Sequence, residues 1–121
     1  MTKTLKTGTH QLVFTSGVTN RIADDNKFAK FVWKSLLRFN RGDWGDVGEY
    51  GWKSNDAELI RDGWILAVYS DQVFLGHAYH VWIIRNTSEE DVTQSITVLF
   101  PYERSVIAER FQDGFDRSFG G

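Results

Sequence analysis

Asp25-Asn26-Lys27-Phe28-Ala29-Lys30-Phe31-Val32-Trp33-Lys34-Ser35-Leu36-Leu37-Arg38-Phe39-Asn40-Arg41-Gly42 is the stretch on which the fold turns. Phe28, Phe31, Val32, Ser35, Leu36 and Phe39 fall at i, i+3, i+4, i+7, i+8 and i+11, one face of an α-helix. Asp24, Asp25 and Asn26 offer N-caps, and the aspartates suit the positive end of the helix dipole. Arg38 and Arg41 suit the other end, and Gly42 can take the left-handed position that closes a helix. The spacing therefore predicts a long helix over 25–41. Trp33 and Leu37 form a second apolar strip, read as broadening the buried face, with a partner-contact surface as the alternative.

Working outward, residues 11–15 (QLVFT) read as a strand that ends at Ser16-Gly17. On the other side, residues 54–62 (SNDAELIRD) read as a short helix capped by Ser54 or Asn55 and stopped by Gly63. Residues 64–69, 79–85 and 95–100 are apolar at nearly every position, as in central strands covered on parts of both faces. The polar connections between them predict an antiparallel meander, and Pro101 ends its last strand. A terminal helix is expected over 103–111, with Phe115 and Phe119 beyond it. Strands grouped after helices argue for an α+β domain rather than a doubly wound sheet. The expectation is an antiparallel sheet of about four strands, the long helix packed on one face, and one or two short helices. All 121 residues make one domain, with 1–10 and 112–121 expected to be flexible.

Composition narrows the chemistry. There is no cysteine, which excludes disulfides, thiolate nucleophiles and cysteine-ligated zinc. No stretch reads as a signal peptide or a membrane span, so a cytoplasmic location is expected. Net charge is only −2, but it is segregated. Residues 1–42 carry a net +6, residues 43–62 a net −4 and residues 63–121 a net −4. Such blocks can generate local fields despite the small total.

Two groups of residues stand out as candidate sites. Asp43, Trp44, Asp46, Glu49, Tyr50 and Trp52 bring carboxylates and aromatics together after the long helix, a pattern suited to binding a protein. The same aspartates can equally build turns and cap backbone donors. Trp44 reads either as a core plug or as a binding anchor. Lys27, Lys30, Lys34, Arg38 and Arg41 make a basic stripe on the long helix, either a solvated face or a phosphate-contacting one. A third arrangement, Asp43, Asp46 and Asp56 converging on a divalent metal, would suit a hydrolase. The EF-hand pattern is absent, as are nucleotide-cradling glycine motifs and serine-nucleophile motifs. His77 and His80 would face opposite ways on a strand, a poor zinc pair. No catalytic residue, metal or cofactor is assigned.

Seven segments occur in an order that resembles a known group. They are LVFTSGV (12–18), FAKFVWKSLLR (28–38), GDWGD (42–46), Asn55-Asp56, GWILAVY (63–69), VWII (81–84) and TVLFPYE (97–103). Together they resemble a family of small plasmid-related proteins of bacterial plasmids, integrative elements and prophages. The resemblance spans about residues 11–103, with GDWGD as its most specific word. The family usually has a histidine where Phe39 stands and consecutive acidic residues where 49–52 stand. The resemblance implies a mobile-element accessory protein and brings no activity with it. The expected function is non-enzymatic protein binding, extending to inhibition of a host-defence complex of the anti-CRISPR or anti-restriction sort. The alternatives are a nucleic-acid-binding accessory protein using the basic stripe and the carboxylate hydrolase.

Overall fold

A computed structural model describes residues 3–7, 10–61, 63–72, 78–87 and 94–103. In chain order these form β1 (Lys3–Thr7), β2 (His10–Phe14), α1 (Ser16–Asp24), α2 (Asn26–Asn40), α3 (Gly48–Ile60), β3 (Ile65–Gln72), β4 (Ala78–Thr87) and β5 (Gln94–Leu99), then a 3-10 turn at Pro101–Glu103. The architecture is α+β. The strands make one sheet in the order β1-β2-β5-β4-β3.

The sheet departs from the expected all-antiparallel, roughly four-stranded form. Among the described residues it has five strands, and β2 runs parallel to β5, with His10 opposite Gln94 and Phe14 opposite Val98. The ladder continues through the Thr15 N–H, which donates to the Val98 carbonyl at 3.2 Å. The meander β3-β4-β5 is antiparallel. The fifth strand is β1, which pairs antiparallel with β2 within the stretch expected to be flexible. Its sequence, Lys-Thr-Leu-Lys-Thr, holds one large apolar residue and so carries no alternation to read.

Among the described residues three α-helices follow β2. The first, α1, has no counterpart in the sequence reading. Its nine residues turn only Val18 and Ile22 towards the core, too few to set a period. The Thr15 hydroxyl caps it, accepting from the Val18 N–H and donating to Glu103 Oε1 at 2.8 Å. Glu103 thus places a carboxylate at the positive end of the helix.

For α2, Asp25 is the N-cap, its Oδ1 accepting from the Lys27 and Phe28 amides at 3.0 and 3.1 Å. Gly42, at φ +78, closes the other end. The Gly42 N–H donates to the Phe39 carbonyl and the Asp43 N–H to that of Arg38, the paired bonds of a Schellman motif. Phe28, Phe31, Val32, Ser35 and Phe39 are buried, and the Ser35 hydroxyl is satisfied by the Phe31 carbonyl. Trp33 and Leu37 do not broaden this face. At 3.6 residues per turn they lie roughly 140–180° round the helix from its middle, and they are 63% and 45% exposed.

The helix expected at 54–62 begins earlier, at Gly48, and ends at Ile60. Gly48 and Gly51 disfavour helix, and no apolar stripe advertises it. Arg85, buried on β4, donates to the Glu58 carbonyl near the end of α3 and to the Gly63 carbonyl beyond it.

Both faces of the sheet are apolar. Val81 and Ile83 face the helices with Val18, Phe28 and Val32, while Trp82 and Ile84 pack with Leu66 and Leu99 on the opposite face. That is why the central runs are apolar at nearly every position. Beyond Glu103, the expected 103–111 helix, Phe115, Phe119 and residues 112–121 lie outside the described residues.

Candidate functional site

The GDWGD word sits where α2 ends, and most of its polar groups are engaged within the fold. Asp43 receives a two-pronged contact from Arg38, Nε to Oδ2 at 2.8 Å and Nη2 to Oδ1 at 3.1 Å. Its Oδ1 also accepts from the Gly45 N–H at 3.1 Å. The Arg38 contact, with help from that amide, holds the Asp43 carboxyl below the usual carboxylate range, and Arg38 is raised in return. The Arg38 guanidinium lies over the Tyr69 ring, 5.0 Å from its centre. The Tyr69 hydroxyl donates to the Asp43 carbonyl at 2.7 Å, and burial pushes its ionisation upward.

Trp44 is 1% exposed. Its ring meets Phe39 edge-on at 5.3 Å, and its indole N–H donates to Asp56 Oδ1 at 2.9 Å. Of its two readings, core plug and binding anchor, the structure contradicts the second: a tryptophan buried this way cannot reach a partner.

The next residues run beside β3. The Val68 N–H donates to the Trp44 carbonyl at 3.1 Å, and the Asp46 N–H to the Val68 carbonyl at 2.7 Å, a parallel bridge centred on Gly45. Gly45 has φ +74, and a Cβ there would collide with the Val68 carbonyl and the Tyr69 ring. One step along, buried Asn55 donates to the Leu66 carbonyl at 2.7 Å and accepts from the Leu66 N–H at 3.4 Å. β3 is an edge strand. The turn and Asn55 together occupy the outward backbone groups of Val68 and Leu66, which would otherwise offer a template for another strand.

Few of the proposed partner-binding side chains remain available. Asp46 is exposed, but its Oδ2 accepts from the Ser70 hydroxyl at 2.7 Å. Trp52 is half-buried against the helix-side core. Glu49 stands in solvent beside Lys53 at 3.2 Å, and Tyr50 is 81% exposed. The hydrolase triad does not converge: Asp43, Asp46 and Asp56 serve Arg38, Ser70 and Trp44 respectively. Among the described residues no group of three or more potential ligands could hold a metal ion. His80 is exposed on β4, and His77 lies outside the described residues.

The basic stripe fares differently. Lys27, Lys30, Lys34 and Arg41 are exposed, while Arg38 is half-buried and engaged by Asp43. The same outer face carries Trp33 and Leu37. Trp33 is one turn from Lys30 and from Leu37, and Leu37 is one turn from Lys34 and Arg41. The sequence marks the stripe and the apolar pair separately; the helix brings them into one patch. The edge-sealing role of Asn55 and the helix-capping role of Arg85 escaped the sequence reading, because single polar residues inside apolar surroundings have no spacing signal.

Searches against family models, characterised proteins and solved structures return no significant match to this chain. No helix among the described residues is long and apolar enough to cross a membrane.

Proposed function

We propose that the chain is a non-enzymatic binding protein that meets an acidic partner protein through the outer face of α2. The observation that carries this reading is Trp33, a large aromatic 63% exposed on a rigid helix beside exposed Leu37. Tryptophan is among the residues that most often dominate interface energies. Lys30, Lys34 and Arg41 rim the pair, which favours approach of a negatively charged surface. The carboxylates that would drive hydrolysis are engaged in holding the fold, which supports binding over catalysis. This moves the contact surface from the 43–52 segment to α2. The resemblance to plasmid and prophage proteins makes a host-defence complex the first partner to try.

A second reading, nucleic-acid binding on the same face, is favoured by one observation: α2 contains no carboxylate along its 15 residues. A nuclease-treated pull-down from bacterial lysate separates the two. Wild type, Trp33→Ala/Leu37→Ala and Lys30→Glu/Lys34→Glu would be compared, with captured chains identified by mass spectrometry. Protein binding predicts one acidic partner retained after nuclease and lost with the apolar double variant. Nucleic-acid binding predicts loss after nuclease and a steep decline with salt. Equal capture by all three chains would remove α2 from the interface.

A further inference from the structure

Between α1 and the adjoining ends of β4 and β5 lies a cleft of about 570 Å³, within the roughly 300–1,000 Å³ typical of small-molecule sites. Its apolar side is a shelf of aromatic rings. Phe28 and Phe100 stack at 5.4 Å and 29°, and Tyr102 stacks on Phe100 at 5.2 Å and 12°. Tyr102 is 75% exposed, so the stack extends towards solvent. Tyr79 packs edge-on against Phe28, and its hydroxyl donates to Asp25 Oδ2 at 2.7 Å, which fixes that ring.

The opposite side is polar. Gly17, Asn20, Arg21 and Asp24 line it from α1 at i, i+3, i+4 and i+7, and His80 contributes from β4. Most carboxylates of the described residues are engaged: Asp25 by Tyr79 and Arg21, Asp43 by Arg38, Asp56 by Trp44, Glu103 by Thr15. The side chains of Asn20, Asp24 and His80, by contrast, make no hydrogen bond or ion pair with any described residue. A flat shelf facing uncommitted hydrogen-bonding groups suits a ring that is apolar on its faces and polar at its edge.

We propose that this cleft binds a free amino-bearing nitrogen heterocycle of nucleobase size, in the form of a nucleoside, stacked on the exposed Tyr102 ring that ends the aromatic column, with its edge towards Asn20 and Asp24. The Asn20 amide both donates and accepts, and the Asp24 carboxylate accepts from exocyclic amino groups and ring N–H groups. An aliphatic ligand would leave that wall unpaired. Arg21 is balanced by Asp24 and Asp25, so the wall adds little attraction for a phosphate. The neutral nucleoside is therefore the preferred form.

The test is a titration of the full chain with adenosine, guanosine, cytidine and uridine, read by calorimetry and by saturation-transfer NMR on the ligand. At least one amino-bearing nucleoside should bind more tightly than uridine, and its monophosphate no more tightly than the nucleoside itself. Tyr102→Ala should weaken binding by about five- to a hundredfold, the usual worth of one base–aromatic stack. Asp24→Asn should weaken it about tenfold for a hydrogen bond to a charged group. Both positions are exposed, and unchanged thermal unfolding would show that the variants fold. Trp33→Ala should leave nucleoside binding intact, so the outcome is independent of the α2 interface. No nucleoside binding at millimolar concentration, binding indifferent to both cleft variants, or binding of oligonucleotides alone would overturn the proposal.

Discussion

Adding one carbon at Gly45 drives it into the Val68 carbonyl and the Tyr69 ring, on a backbone at φ +74 that L side chains rarely adopt. Gly42, at φ +78, has only the Trp44 ring nearby, at an ordinary 3.9 Å. The two glycines of one motif should therefore respond differently. Gly42→Ala is expected to cost about 1 kcal/mol, the left-handed penalty alone. Gly45→Ala should cost more than about 2 kcal/mol, because the bridge to β3 must also open. Urea unfolding of both variants checks this, and equal losses would deny the bridge its role. Asp43 adds a pH signature. Its carboxyl is lowered by Arg38, so the stability it contributes is fully present above the ordinary carboxylate pKa of about 4 and is lost as pH falls through the lowered folded value. Thermal melts from pH 6 to pH 2 should fall less steeply for Asp43→Asn than for wild type.

At the scale of elements, the seal along β3 is the feature most open to test. Asn55→Ala leaves the Leu66 N–H and carbonyl without their side-chain partner, at an expected cost of about 2–3 kcal/mol. Asn55→Asp keeps an acceptor for the N–H but loses the donor to the carbonyl, so it too should destabilise; chemical denaturation measures both. The contrast between α2 and α3 shows what the sequence can express about such elements. α2 is legible because five buried residues recur at helical spacing between an aspartate cap and a glycine stop. α3 buries only Asn55 completely, and its first turns contain two glycines, so its start could not be read. β1 is an edge strand that pairs with β2, and its sequence holds a single large apolar residue, too few to mark a strand.

Across the whole molecule, the candidate surface was legible in part. The Lys27–Arg41 stripe follows from helical spacing alone, and four of its five members are exposed. The same spacing sets Trp33 and Leu37 on the far side of the helix from the buried stripe, so their exposure was legible too. Reading them as a broadening of that stripe weighs their four-residue interval above their angle to it. GDWGD misled for a different reason. Carboxylates and a tryptophan have the same composition whether they face a partner or lock a turn, and the Arg38–Asp43, Trp44–Asp56 and Gly45–Val68 contacts that decide between these are set by tertiary structure.

The parallel pairing of β2 with β5 also bears on how the chain is made. While a ribosome synthesises the protein, His10–Phe14 and the two helices after it emerge long before the strand that must lie beside them, Gln94–Leu99. Pairing so distant in sequence is slow to form, and the loop it closes must be ordered before any contact rewards it. The early half of the chain thus spends its synthesis with Phe28, Phe31 and Val32 uncovered, a natural client for holding chaperones. A nascent chain halted after residue 93 should remain open to protease across α1 and α2, and release of β5 should protect both helices in a single step. Protection of α2 before β5 emerges would show instead that the helices dock on the β3–β4 hairpin alone.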